Sequence, residues 1–395
     1  MLRQSILIKV LVLWAAGLGT AAQFAKFSVI FPSIQAIYPD AGAELGFTVS
    51  IISLVGLIFG LVAALAIAQL GARRLMIYAL ILGAGLSFFQ MTLPELSIMI
   101  ASRVLEGLSH LIIVVAAPTL MAEVTKPNQR AAALTLWSTF FGVAFASVAW
   151  LGIPLVNAHG VEMLFLVHGV YMLVMAGLIV MIIPGARPHR SKTDPPSLAM
   201  VLRRHLDIYS SPYLSAPAYG WLFYAFSYVG LITVIPGVLP PETRAFTVVA
   251  MPLAGIVSSL TIGIFLIRRF GAIPVCITGF LLAILVLLVC LMHAVTPLLC
   301  ILIFVAIGLV QSASFAAVPE LNDTTEARAY ANGGLAQMGN LGNASGTPVL
   351  LFILAVADDT ALILTIVFGY SAGIALHLWA AWRRGSNPRE CNSTP

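Results

Sequence analysis

The sequence predicts an all-α membrane protein of 12 transmembrane helices, arranged as two pseudo-symmetric six-helix bundles. Three observations carry that expectation. Of 395 residues, 60% are hydrophobic and only 9% charged, against about 25% charged in a soluble domain, so most of the surface suits lipid. Apolar runs long enough to span a bilayer, roughly 20 residues each, follow one another with no soluble domain between them. The halves of the chain also echo each other. Glu123 followed by Arg130-Ala131-Ala132-Ala133 recurs as Glu320 followed by Arg328-Ala329-Tyr330-Ala331, an offset of 197–198 residues.

The first run, 6–31, begins like a cleavable signal peptide, with Arg3 and Lys9, an apolar stretch from Val10 to Leu18, and Thr20-Ala21-Ala22. Its apolar pattern continues through Phe24 and Phe27 to Phe31, so it is read as an uncleaved first span. Runs at 46–70, 75–93, 97–122, 131–154 and 161–183 complete an N-terminal bundle over 1–183. Residues 184–213 break the pattern. They are rich in Pro, Arg and Lys, with Leu198, Leu202, Leu206 and Tyr209 at helical spacing, which predicts a cytoplasmic linker with a short amphipathic helix on the membrane. Runs at 214–239, 246–267, 272–293, 297–319, 330–357 and 360–382 form a C-terminal bundle over 214–383, followed by a tail at 384–395.

The basic residues set the orientation. With cytoplasmic termini, 17 of the 20 Lys and Arg residues fall on cytoplasmic segments, all except Lys26, Arg103 and Arg244. The outer loops carry Asp40, Glu44, Glu95, Glu162, Glu242, Asp358 and Asp359. This is the positive-inside pattern, and it predicts a multi-pass protein of a bacterial inner membrane with both termini in the cytoplasm. Topology explains the basic residues, so no nucleic-acid partner is expected. Cys276, Cys290, Cys300 and Cys391 show no metal-ligand spacing and read as apolar fillers plus one free thiol in the tail.

Ionisable residues inside a span are expensive and point to function. Here they are Lys26, Arg103, Glu106, His110 and His168. At 1.5 Å per residue, Lys26, Arg103 and His168 each fall roughly 8–9 Å inside the outer boundary. Arg103, Glu106 and His110 are spaced i, i+3, i+7 and share a helix face. Lys26, Arg103 and Glu106 are expected to form a charge cluster in which Glu106 exchanges a proton; the alternative is a static ion pair. Arg103 and Glu106 neutralise each other on this reading, so Lys26 is the unbalanced cation that would meet an anionic substrate. Lys26 shares a small, polar stripe with Ala16, Gly19 and Gln23, which makes Gln23 a second contact candidate. His110 and His168 read as hydrogen-bonded packing residues, with His168 also a candidate for the substrate site.

Polar groups of the C-terminal half supply the remaining candidates. Trp221, Tyr224 and Tyr228 follow the same i, i+3, i+7 spacing, and Tyr224 and Tyr228 are candidate cavity residues. Gln311 on the tenth run, and Gln337, Asn340 and Asn343 on the eleventh, need partners that a water-filled cavity would supply. Gly339, Gly342 and Gly346 allow close helix packing. Glu123, Arg130, Glu320 and Arg328 at the cytoplasmic ends would pair as gates or latches, or else are solvated loop charges.

On these residues the chain resembles the major facilitator superfamily over nearly its whole length. Gly71-Ala72-Arg73-Arg74 is similar to the end of that family's loop between helices 2 and 3, but Ala68 and Gln69 stand where an acidic residue belongs. Arg103-Val104-Leu105-Glu106-Gly107-Leu108-Ser109 resembles the helix 4 motif Arg-x-x-Gln-Gly-x-Gly, with Glu for Gln. The resemblance implies a role for that Arg in proton coupling. The Gly-Pro antiporter motif of helix 5 has no counterpart near Phe141-Gly142-Val143, whereas Gly339, Gly342, Gly346 and Pro348 are similarly arranged on helix 11. Some similarity extends to carriers of the cyanate and nitroimidazole type.

The resulting expectation is a secondary transporter that moves a small solute by alternating access. It would be proton-coupled, favour a small organic anion, work as a monomer and need no cofactor. An efflux carrier for amphiphilic compounds is the alternative within the class. The sequence has no Gly-x-x-x-x-Gly-Lys-Ser/Thr phosphate loop for ATP hydrolysis. An intramembrane enzyme would show His-Glu-x-x-His, Gly-x-Ser-x-Gly or paired aspartates in its spans, and these are missing. A non-transporting sensor of the same fold is the reading from another class.

Overall fold

The computed structural model describes residues 5–184, 203 and 206–386. The linker positions Leu198 and Leu202 and the tail with Cys391 lie outside the described residues. All regular structure among the described residues is helical. Eleven helices are long and apolar enough to cross a membrane, and a bent pair makes the count up to 12. In chain order these are α1 (Ile6–Ser28), α2 (the bent pair, Ala43–Ser50 with a second part Ile52–Leu70), α3 (Ala72–Gln90), α4 (Leu96–Val124), α5 (Phe140–His159) and α6 (Val161–Ile182). The second six are α7 (Ala216–Val238), α8 (Pro241–Phe270), α9 (Ala272–Met292), α10 (Pro297–Leu321), α11 (Thr325–Val356) and α12 (Asp359–Ser386).

Several expected spans are divided differently. α1 stops at Ser28, and a short helix, Phe31–Ile37, follows it. Pro32 has no N–H to continue the ladder but suits a first turn. The span expected over 46–70 is broken between Ser50 and Ile52 by a bend of 54°. The fifth span begins at Phe140, after a separate helix Arg130–Ser138. α5 and α8 each contain one π turn, at Val148–Gly152 and Ser259–Gly263. Gly71 and Gly271 take φ of +91° and +83° between α2 and α3 and between α8 and α9. That left-handed conformation is open to glycine without strain, and its recurrence at equivalent turns extends the repeat seen in the sequence.

The chain divides into two compact units, Met1–Pro195 with Ile232–Pro252, and Pro196–Leu231 with Leu253–Pro395. In the first, α1 packs on α4, α5 and α6, while α3 packs on α4 and α6 and α2 on α4. Its core gathers Leu13, Met76, Leu80, Ile113, Leu120 and Met172. Lipid tails are as apolar as leucine, so close packing rather than burial from water holds such helices together. Gly83 shows how tight this is. A Cβ there would stand 2.7 Å from the Met172 Cε, 2.8 Å from Ser109 Oγ and 2.9 Å from Gln23 Nε2. In the second unit, α9 packs on α10 and α12, and α10 lies against the π turn of α8.

Candidate functional site

Lys26, Arg103 and Glu106 meet in the first unit, and all three are fully buried. Lys26 donates to Glu106 Oε1 at 2.7 Å, Gln90 Oε1 at 2.7 Å and Ser87 Oγ at 3.0 Å. Arg103 Nη1 donates to Glu106 Oε2. Its Nε donates to the Thr48 carbonyl at 2.5 Å and its Nη2 to the Gln23 carbonyl at 2.7 Å. Gln90 Nε2 donates to Glu106 Oε2 at 2.8 Å and to Ser102 Oγ at 3.1 Å. One carboxylate therefore bridges two cations. This corrects the expectation that Arg103 alone is neutralised while Lys26 stays unpaired; the excess positive charge belongs to the trio. Aromatic faces complete the enclosure, with the Arg103 guanidinium 4.1 Å from the Phe27 ring centroid and Lys26 Nζ 5.4 Å from that of Phe165.

The network extends along α1. Nε2 of His168 lies 2.9 Å from the Gly19 carbonyl and Nδ1 lies 2.9 Å from Ser87 Oγ. A carbonyl only accepts, so the hydrogen bonds assign the Nε2–H tautomer. Gln23 donates to Ser109 Oγ at 3.0 Å and accepts from Thr20 Oγ1 at 3.1 Å. His110 Nδ1 lies 3.1 Å from the Thr20 carbonyl, and its ring meets Phe24 edge-on at 5.0 Å. Gln23 and His168 thus sit beside the charges, as their spacing suggests. Sequence reasoning missed Ser87, Gln90, Ser102, Ser109 and Thr20. Ser87 and Gln90 stand i, i+3 at the end of an apolar run, a polar pair in a span that was signal enough to find them.

The second unit brings its candidates together more loosely. Tyr224 and Tyr228 are 7% and 4% exposed, so they are interior rather than interfacial. Trp221 stacks on Tyr224 at 4.6 Å, and Tyr224 on Tyr228 at 5.3 Å. Tyr224 donates to Gln311 Oε1 at 3.1 Å, and Tyr209 to Gln337 Oε1 at 2.7 Å. Asn340 and Asn343 are half-buried and make no side-chain hydrogen bond among the described residues. Gly342 and Gly346 bring α11 onto the α7 backbone at Leu222 and Phe226, whereas Gly339 makes room for the Trp221 indole.

The expected gate residues are exposed. Glu123 with Arg130, and Glu320 with Arg328, form no ion pair; among the described residues the salt bridges are the two at Glu106. Arg130 Nε instead donates to the Ala122 carbonyl at 3.0 Å, and Arg328 Nε to the Asn322 carbonyl at 2.8 Å. Carbonyls at helix C-termini lack intrahelical partners, and a nearby arginine satisfies them. Glu320 accepts from the Ala272 N–H at 3.0 and 2.8 Å, capping α9.

These observations match known proteins. Residues 13–321 match the profile of the Major Facilitator Superfamily. No curated protein sequence matches the chain. A bacterial homologue of the human lysosomal transporter Spinster, inward-facing and unoccupied, is similar at a TM-score of 0.70 and 14% identity, covering 95% of each chain. A point mutant of the nucleoside transporter NupG is similar at a TM-score of 0.73 and 11% identity, covering 94% of this chain and 99% of that one. These two structures share the fold alone, and the cyanate and nitroimidazole resemblance finds no support in them. The profile spans most of the sequence and the helices fill the same architecture: the chain belongs to the major facilitator superfamily, as a multi-pass membrane protein and secondary transporter.

Proposed function

We propose that this transporter couples the movement of a small organic anion to a proton through Glu106. One observation carries the reading: a single buried carboxylate bridges two buried cations, leaving the cluster with one excess positive charge. Lys26 has three N–H donors and spends them on Ser87, Gln90 and Glu106. An incoming anion must replace one of these partners, and the carboxylate is the competitor that a proton removes. Protonated Glu106 frees Lys26 for the anion. Proton and anion then enter together, and the cluster's net charge is the same before and after. By linkage each ligand favours the other. In the second unit, Tyr224, Tyr228, Gln311, Gln337, Asn340 and Asn343 are, on the same proposal, that unit's own candidates for solute contact.

The deciding experiment separates driven accumulation from exchange in proteoliposomes, after a thermal-shift screen has found a ligand. Glu106→Gln is expected to abolish accumulation driven by a pH gradient while substrate exchange continues. Normal accumulation in that variant would reduce Glu106 to a structural partner. The protein works as a monomer in a bacterial inner membrane with both termini cytoplasmic, on the same proposal. Reporter fusions after Pro39-Asp40 and at the C-terminus test the orientation, and an outward C-terminus would overturn it.

A further inference from the structure

Arg103 and Gly107 stand i, i+4 on α4 and so share a face; both meet α2 at its break. Arg103 donates to the Thr48 carbonyl just before the break. A Cβ on Gly107 would lie 2.7 Å from the carbonyl oxygen of Ile52, the first residue after it. Sharp kinks arise at proline, at Gly/Ser pairs, at π turns, or where a side chain enters the hydrogen-bond ladder. Residues 47–55 contain neither Pro nor Gly; the bent pair opens with a 3-10 turn ending at Gly46, and Arg103 is a side chain seated at the break itself. Ser50, at the break, is fully buried, and its Oγ has no hydrogen-bond partner among the described residues. Ser50 therefore does not hold the bend, while Thr48 Oγ1 donates to the Leu45 carbonyl at 2.7 Å.

We infer that Arg103 and Gly107 are positioning residues that hold the break in α2, and that the charge on Glu106 decides whether Arg103 stays there. The second half rests on the proton-exchange reading above; the first does not. The charged and titratable groups around Glu106 are Lys26 on α1, Arg103 and His110 on α4, and His168 on α6, with Gln90 on α3 as a neutral partner. α2 faces the cluster with a backbone carbonyl. Neutral Glu106, before an anion takes its place, leaves two buried cations without a counter-charge, which is strongly unfavourable. Withdrawal of the guanidinium from Thr48 relieves it and frees α2 to change its bend.

The test uses the full-length protein in nanodiscs with Cys276, Cys290, Cys300 and Cys391 replaced by serine. Ser50→Cys reports on the break through its rate of reaction with N-ethylmaleimide. Rates are normalised to Asp40→Cys, an exposed position in the loop before α2, to correct for the pH dependence of an accessible thiol. Arg103→Gln should accelerate labelling roughly ten- to hundredfold, the change expected from losing one charge-assisted hydrogen bond, and Gly107→Ala should accelerate it by pushing its Cβ against the Ile52 carbonyl. Gly85→Ala, where a Cβ meets nothing within 4 Å, should leave the rate unchanged. Slow labelling in folded Gly107→Ala and Arg103→Gln would overturn the inference, and Gly107→Ala suffices if Arg103→Gln does not fold. Acid should accelerate labelling of the otherwise unsubstituted protein, and Glu106→Gln should be fast at every pH. Release by the Arg103 and Gly107 variants without any pH response would uphold the positioning role and overturn the proton-exchange reading.

Discussion

The two units treat their buried polar groups in opposite ways. Around Glu106, Lys26 uses all three donors, Gln90 uses both amide hydrogens, and Arg103 holds three acceptors on α1, α2 and α4. In the second unit, Gln311 accepts one hydrogen bond from Tyr224, while Asn340 and Asn343 make none among the described residues. A closed network in a low dielectric is sensitive to the loss of any member. An open one tolerates change and can recognise different partners. On the function proposed above, the closed network keeps one charge geometry and the open one fits the solute.

The harshest way to break this comparison is Glu106→Leu. It strands two buried cations and should cost about 3–5 kcal/mol, read as a large drop in the thermal midpoint of the detergent-purified protein. Tyr224→Phe in the second unit should cost about 1 kcal/mol, one neutral hydrogen bond. Equal losses would erase the contrast. A smaller stability effect but a sharp functional one is expected at Lys26. Lys26→Gln leaves Arg103 and Glu106 as a neutral pair, so the protein should fold, while affinity for an anionic ligand falls roughly tenfold to a hundredfold. Lys26→Arg should recover part of it, because charge survives while geometry does not. Unchanged anion binding in Lys26→Gln would remove the main support for an anionic substrate and move amphiphiles forward. The smallest effect belongs to Asn340→Ala, whose stability should stay within about 0.5 kcal/mol of the parent. Its altered ranking of competing substrates is the readout, and an unaltered ranking would take Asn340 out of the solute site.

What was legible in the sequence follows from how locally each feature is caused. Apolar runs, positive flanks and the repeat of Glu123 and Glu320 are local, and the helices follow from them. Lys26, Arg103 and Glu106 stood out because charge inside a span is rare. The bridge itself did not, since it depends on how α1 and α4 are turned towards each other. The break in α2 is the plainest case. Residues 48–53 hold no Pro or Gly to announce it, and the arginine seated at it arrives from α4. Glu123 and Arg130 were visible as charges but not in their contacts, because an orphan carbonyl lies closer to the arginine than any carboxylate does.

The π turns of α5 and α8 bear on how the length of this chain can vary. A π turn accommodates one residue more than the α-helix on either side of it. Removing one residue within 148–152 or 259–263 lets the helix close to ordinary α geometry, with both flanks kept in phase. The same deletion inside α3 would rotate everything beyond it by about 100° and turn Ser87 and Gln90 away from Lys26. Single-residue deletions should therefore be tolerated at these two places in the spans.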